Sequence, residues 1–92
     1  MNKVLLTGKV ARTKKFDNCT FITIATRDKH SENNTEFIEC VLFGSTAEFF
    51  NKYFCTGKSI EIQGKLKQGR DYKLECIAEE IGFCGKKESI LD

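Results

Sequence analysis

Two phenylalanines of one predicted strand are the residues whose type and spacing point to chemistry. Phe37 and Phe43 are separated by an even number of positions, and strand side chains alternate between faces, so both rings share one face. Ile38, Cys40 and Leu42 fall on the opposite face, which is the candidate core. Flat rings on a sheet surface can stack against nucleic-acid bases, at roughly 1–3 kcal/mol per base. A sheet buried on both faces, or a subunit interface, would explain the same rings.

Basic side chains near these rings are candidates to hold the phosphates of a nucleic acid. The net charge is only +2, from 15 basic and 13 acidic residues, so total charge does not indicate a nucleic-acid binder. The first fifteen residues, however, contain no acid, and such local fields steer a polyanion. The candidates lie at outward strand positions or in adjacent turns: Lys3, Lys9, Arg12, Arg27, Lys65, Lys67, Arg70 and Lys73. Each of them alone equally suits an ordinary solvated charge.

Tyr72, beside the last predicted hairpin, could supply a further stacking ring. Packing at the edge of the sheet would explain this tyrosine equally well.

The residue types needed for catalysis or metal binding do not form a usable pattern. No serine–histidine pair with an orienting acid, no phosphate-binding glycine loop and no carboxylate cluster is visible, so we do not expect an enzyme. The five cysteines include no C-x-x-C pair and there is one histidine, so we expect neither metal nor cofactor. The cysteines are expected to be free thiols in a reducing cytoplasm. No apolar run is long enough for a signal peptide or a membrane span.

The elements that must position the candidate residues follow from periodicity and turn signals. The predictions are strands at 2–12, 19–27, 35–43, 58–67 and 71–83, and a helix at 45–55 between the third and fourth strands. This order, with Gly8 and Gly64 as points where strands bend, matches the five-stranded Greek-key barrel of the OB-fold. The predicted fold is therefore all-β with one helix. Because that helix carries a single lysine, it offers no basic surface for reading a DNA duplex.

Local features of the helix are also predicted. Ser45 is expected to cap its N-terminus together with Glu48 as a capping box, and Gly57 to end it. Ala47, Phe50 and Phe54 belong to its inner, apolar stripe.

The strands and turns carry similar expectations. Val41 is predicted to face outward with the two phenylalanines, and Leu66 to face the core. Residues 13–18 are expected to form a short polar turn, and Gly69 to supply a positive φ in the turn at 68–70.

Several of these segments resemble the bacterial single-stranded DNA-binding protein family. The resembling segments are NKVLLTGKV at 2–10, FITIAT at 21–26, FIECVLFG at 37–44, TAEF at 46–49, IEIQGKL at 60–66 and AEEI at 78–81. The resemblance covers about residues 2–84, in order and with few gaps. It supports the OB-fold prediction.

The resemblance also implies a function. It implies sequence-independent binding and protection of single-stranded DNA in replication, recombination or repair, in the cytoplasm at the nucleoid. Members carry aromatic residues at the positions of Phe37 and Phe43 as base-stacking platforms. His30 stands where many members have a loop aromatic, although a solvated loop histidine is an equally ordinary reading. The family and the apolar Leu5 on the outer face of the first strand together predict a homotetramer, with a dimer as the alternative and replication proteins as possible partners.

The chain departs from the family in its turns and its C-terminus. The turn after the first strand lacks an Asp-Pro pair, and the hairpin at 67–71 is short. Residues 1–86 are expected to form the binding domain and residues 87–92 a short disordered remnant, without the family's Gly/Gln/Pro-rich tail. These departures keep an alternative open, a module similar to the primosomal replication protein N that mainly contacts a helicase. The retained phenylalanines favour the DNA-coating function.

Overall fold

The strands close into a barrel with one helix on the connection between the third and fourth. The computed structural model describes residues 1–27 and 34–83. Its elements are β1 (Val4–Lys15), β2 (Cys19–Arg27), β3 (Thr35–Phe43), α1 (Gly44–Tyr53), β4 (Ser59–Gln68) and β5 (Leu74–Phe83). The strand order is β1-β2-β3-β5-β4, antiparallel except for the parallel pair β3–β5. The predicted five-stranded barrel with its helix between β3 and β4 is confirmed.

Every strand contributes its alternate side chains to one core, as a period of two requires. The buried apolar side chains are Val10, Ile22, Ile24, Cys40, Leu42, Ile60, Ile62, Cys76 and Ala78 from the strands, with Ala47, Phe50 and Phe54 from α1 and its C-terminal end. The rings of Phe50 and Phe54 stack at 5.6 Å with an interplanar angle of 5°. The predicted inner stripe of the helix is therefore confirmed.

Gly64 lies where the β4–β5 pairing is irregular, but the inserted residue is Glu79 of β5, so the bend predicted for β4 is not seen there. The β4–β5 register shifts between Gln63 and Gly64. A Cβ atom on Gly64 would collide with the backbone carbonyl of Ile77, so only glycine permits this approach of the two strands.

The bend in β1 is not at Gly8, where it was predicted. The register with β2 shifts between Val10 and Arg12, which leaves Ala11 as the inserted residue of the bulge. Gly8 instead allows close approach of the backbone of Ala25. β1 also continues to Lys15, three residues beyond the predicted end, so half of the predicted polar turn is strand.

The predicted capping box of α1 is wrong. The chain passes from β3 into the helix at Gly44, whose φ of +53° suits glycine. Phe43 therefore occupies the N-cap position, without a side-chain cap. Ser45 lies inside the first turn and cannot cap it with Glu48. Extended backbone at Phe54 ends the helix, before the predicted stop at Gly57.

The β4–β5 hairpin differs from the prediction at three residues. Leu66 is exposed because it lies beyond the Val4–Gly64 pair, at which the pairing of β1 with β4 ends. Gly69 has an ordinary negative φ, and β5 begins only at Leu74. The left-handed residues are Asp71 and Tyr72, with φ of 58° and 61°, so Tyr72 lies in a 3₁₀ turn and not at the start of a strand.

Two thiols lie side by side in the core. Cys40 and Cys76 are register partners in β3 and β5, and both are buried. Burial raises the pKa of both thiols above the ordinary value of 9.0, and the neighbouring Cys76 and Glu39 add to the rise at Cys40. Cys40 faces the core as predicted, and both residues act as small apolar core side chains.

These thiols make stability depend on pH in alkaline solution. Above about pH 9 the unfolded chain releases the thiol protons, whereas the folded chain retains them. The thiol contribution to stability is therefore complete below that pH and is lost as the pH rises further. We expect the free energy of unfolding in urea to fall from about pH 9 to pH 10, and to fall less in a variant carrying both Cys40→Ala and Cys76→Ala. Equal slopes in the two proteins would contradict the assignment.

In the described part of the chain, no helix is both long and apolar enough to cross a membrane.

Candidate nucleic-acid interface

The two phenylalanines of β3 project from the outer face of the barrel, as their spacing predicts. The side chains of Phe37 and Phe43 are 64% and 49% exposed. On β2, their register partners are Ala25 and Cys19, which are too small to cover an aromatic ring. Each ring therefore presents apolar surface to solvent on a rigid strand.

Two cations stand beside Phe37. Lys9 pairs with Ala25, which pairs with Phe37, so the three side chains form one row across β1, β2 and β3. Arg27 pairs with Thr35 on the same face. A cleft of about 440 Å³ is lined by both Lys9 and Arg27. Two predicted phosphate-binding residues therefore share a cleft on the same face of the barrel as the Phe37 ring.

Val41 lies between the two phenylalanines and is buried, although the sequence predicted it at an open outward position. It is 3% exposed because its register partners on either side are the large side chains Phe21 and Ile77. The outer surface here is therefore a closed apolar strip and not a pocket.

A polar row crosses the same three strands one step further along. Arg12 pairs with Thr23, which pairs with Glu39. Arg12 is therefore on the predicted face, but it shares its row with a carboxylate.

The remaining predicted cations lie toward β4 and β5. Lys65 pairs with Ile77 and continues the apolar strip, while Lys67 pairs with Glu75, an acid that offsets part of its charge. Lys3 precedes β1 at the rim, where the Asn2 side-chain amide exchanges two hydrogen bonds, of 2.8 and 2.9 Å, with the backbone of Leu66.

The 3₁₀ turn at the tip of the hairpin carries the last predicted residues. Tyr72 is largely exposed, and Arg70 and Lys73 flank it. This group is separate in the fold from the Phe37 row, which lies on β1 to β3. His30 lies outside the described residues.

The sequence profile described as the single-strand binding protein family matches residues 1–83. The chain belongs to this family. A single-stranded DNA-binding protein of Malacoplasma penetrans is 34% identical over 97% of the chain, and single-stranded DNA-binding protein 1 of Clostridium acetobutylicum is 30% identical over 98%. The chain spans about half (54%) of the first relative and all (100%) of the second.

Solved structures of single-strand binding proteins share this fold. A mitochondrial single-stranded DNA-binding protein from S. cerevisiae superposes with a TM-score of 0.73 at 13% identity, covering 87% of this chain and 90% of that one. The second single-stranded DNA-binding protein of Mycobacterium smegmatis gives 0.71 at 16% identity, covering 88% and 86%. At these identities the likeness establishes the OB-fold alone.

Sequence reasoning missed one aromatic group of this family member. Phe16 follows β1, and its backbone N–H donates to the carbonyl of Cys19 at 2.8 Å, which closes a tight connection to β2. Its ring meets that of Phe21 edge to face at 5.4 Å. The outward position of Phe21, between Cys19 and Thr23 on β2, was a signal that an aromatic surface extends beyond β3.

A second missed group lies at the helix. The rings of Phe49 and Tyr53 lie within 6.3 Å of Phe83 at the end of β5, and Lys58 Nζ is 5.7 Å from the Phe83 ring centroid. Phe83 in turn stacks on Phe54 at 4.9 Å. This aromatic cluster joins the core to the surface, so part of its role is structural.

Proposed function

We propose that this chain binds single-stranded DNA with little regard to base sequence and so protects it during replication, recombination or repair. The observation that carries the proposal is the exposure of Phe37 and Phe43 on one strand, with Lys9 and Arg27 on the same face of the barrel. The printed names of the relatives describe the same ligand. Cytoplasmic, nucleoid-associated action belongs to the same proposal.

The chemistry follows from the two kinds of side chain. Every base offers a π-face, so stacking on Phe37 and Phe43 tolerates any sequence. Lysine and arginine neutralise phosphates and release counterions. Lys9 and Arg27 are the leading candidates, with Arg12, Lys65 and the cations of the β4–β5 hairpin extending the path. Tyr72 is proposed as a further ring at the hairpin tip.

A duplex does not fit this surface. Its bases are paired and stacked inside the helix, so they cannot reach rings on a convex sheet. The only lysine of α1, Lys52, lies over the ring of Tyr53 at 5.6 Å from its centroid. The helix therefore presents no row of cations to a major groove.

The decisive experiment compares single strand and duplex over a range of salt. We expect an oligo-dT strand of about 16 nucleotides to bind far more tightly than duplex of equal length. The logarithm of its affinity should fall with the logarithm of salt by about 0.7 for each phosphate contacted. Fluorescence anisotropy measures both quantities.

Mixed-sequence strands serve as the control and should bind nearly as well as oligo-dT. Equal affinity for duplex and single strand at moderate salt would overturn the stacking mechanism. It would favour the alternative in which the barrel mainly contacts a replication protein.

We also propose that the protein assembles with copies of itself, as a homotetramer or else a dimer. Leu5 is exposed on the outer face of β1, next to a groove of about 380 Å³ that Ile62 and Ile81 also line. A small barrel gains stability by burying such surface. Light scattering at tens of micromolar should give an oligomer mass, and Leu5→Glu should lower it. A monomer under those conditions would contradict the proposal.

A further inference from the structure

We propose that a cavity beside the β1–β2 connection is an additional base-binding subsite, and that it prefers guanine. This inference rests on the proposed binding of single-stranded DNA and adds a position of stated base chemistry to it. The cavity measures about 350 Å³, and its walls include Arg12, Lys14, Phe16, Phe21, Thr23 and Glu39. A volume near the lower limit for ligand pockets suits a single nucleotide.

The aromatic wall of the cavity is held in place by the fold. Phe16 is 51% exposed, yet the hydrogen bond from its backbone N–H to Cys19 fixes the turn that carries it. Its ring meets that of Phe21 edge to face at an interplanar angle of 79°, and Phe21 is itself half-buried on β2. An exposed ring with a fixed backbone loses little conformational entropy on stacking. Phe16 is therefore suited to stack against a base.

A cation marks the phosphate side of the same ring. Lys14 Nζ lies 5.5 Å from the centroid of the Phe16 ring. Because the ammonium group lies over one face of the ring, a base would stack on the other face, and Lys14 could then meet a phosphate of the same strand. Phe16 would thus hold a base, and the nearby Lys14 a phosphate, at the β1–β2 connection.

The polar wall of the cavity carries the base preference. Arg12 and Glu39 stand on either side of Thr23 in one row across three strands. Adjacent strands are about 4.8 Å apart, so donor and acceptor side chains approach a base from opposite sides. The guanidinium group is a donor only, and the carboxylate is an acceptor only.

Guanine is the base that satisfies both groups together. Its O6 and N7 atoms accept hydrogen bonds and are the usual partners of arginine. Its N1–H and N2–H₂ groups donate in parallel, which matches the two oxygens of the Glu39 carboxylate. Thymine presents two carbonyl oxygens beside its one N–H, so it would leave a carbonyl facing the carboxylate.

Stacking at position 16 can be measured by the fluorescence of an introduced tryptophan, because the chain contains no tryptophan of its own. Phe16→Trp should lose much of its fluorescence when a thymidine strand of about 16 nucleotides with one central dG is added. Tyr53→Trp, a change at an exposed helical ring outside the cavity, should lose little. A Phe16→Trp protein that binds this strand without quenching would overturn the subsite.

Base preference is measured first on the unaltered protein. A thymidine strand with one central dG should bind about fivefold more tightly than the same strand with inosine, which lacks only the N2 amino group. Glu39→Gln should abolish that ratio. Removing the negative charge also raises affinity for any strand, but the ratio cancels this effect.

The possible outcomes separate the subsite from the wider function. Equal binding of the guanine and inosine strands, with tight binding of both, would overturn the guanine preference and leave the proposed function standing. Absence of any single-strand binding would instead overturn the proposed function, and the subsite with it. Quenching at Phe16→Trp together with a guanine preference that Glu39→Gln removes would establish the proposal.

Discussion

A protein carrying both Phe37→Ala and Phe43→Ala should lose most of its affinity for single-stranded DNA while it keeps its fold. Each ring is worth about 1–3 kcal/mol of stacking, so the pair should cost about 2–6 kcal/mol. Both rings are exposed and face away from the core, so neither change removes core volume. The measurement is an anisotropy titration with oligo-dT, with circular dichroism and thermal melting as the fold check.

Tyr53→Ala is the matched control for this prediction. It also removes a partly exposed aromatic ring, but from α1 and not from β3. We expect its affinity to change little. If the double variant unfolds, or binds as tightly as the unaltered protein, the two rings are not the platform. A loss of equal size in Tyr53→Ala would place the binding surface on the helix.

Phe50→Ala should cause the largest loss of stability from a single change. Phe50 is 1% exposed and stacks on Phe54, so its removal costs the burial of a ring and leaves a cavity. Such changes destabilise by about 3–5 kcal/mol, whereas a chain of this length has about 5–14 kcal/mol in total. The free energy of unfolding in urea measures the effect.

Phe49→Ala, at the adjacent residue, is the control. Phe49 is 37% exposed and contacts the surface part of the aromatic cluster, so we expect a clearly smaller loss. Comparable losses from the two changes would mean that the surface cluster, and not the core stripe, anchors the helix.

The core and the binding face could be predicted from the sequence because both depend on alternation along single strands. Ile22, Ile24, Cys40 and Leu42 face inward as their parity requires. Phe37 faces outward for the same reason. Parity is a property of one strand and needs no knowledge of its neighbours.

Features that depend on the neighbouring strand were not predictable. Val41 has outward parity, yet Phe21 and Ile77 bury it, and only the order of strands in the barrel shows that they flank it. The bulge at Ala11 and the exposure of Leu66 likewise depend on where a partner strand shifts or ends.

The predicted capping box of α1 was wrong for a different reason. Ser45 and Glu48 have the right types and spacing for a capping box, but Gly44 adopts a left-handed conformation directly after β3. The helix therefore starts two residues too early for Ser45 to cap it. Spacing alone does not show which residue makes such a turn.

The parallel pair β3–β5 has a consequence for how the barrel opens. In the described residues it consists of two register pairs, Cys40–Cys76 and Val41–Ile77, whereas β2 and β3 are paired along their whole length. Because β3 and β5 share few hydrogen bonds, we expect the barrel to open locally between them. The amides of this strand pair should therefore exchange with solvent before those of β2. The apolar strip on the outer face crosses the same strand pair. Nucleic acid bound across this strand pair would hold β3 and β5 together. The protection of their amides from exchange would therefore rise on binding.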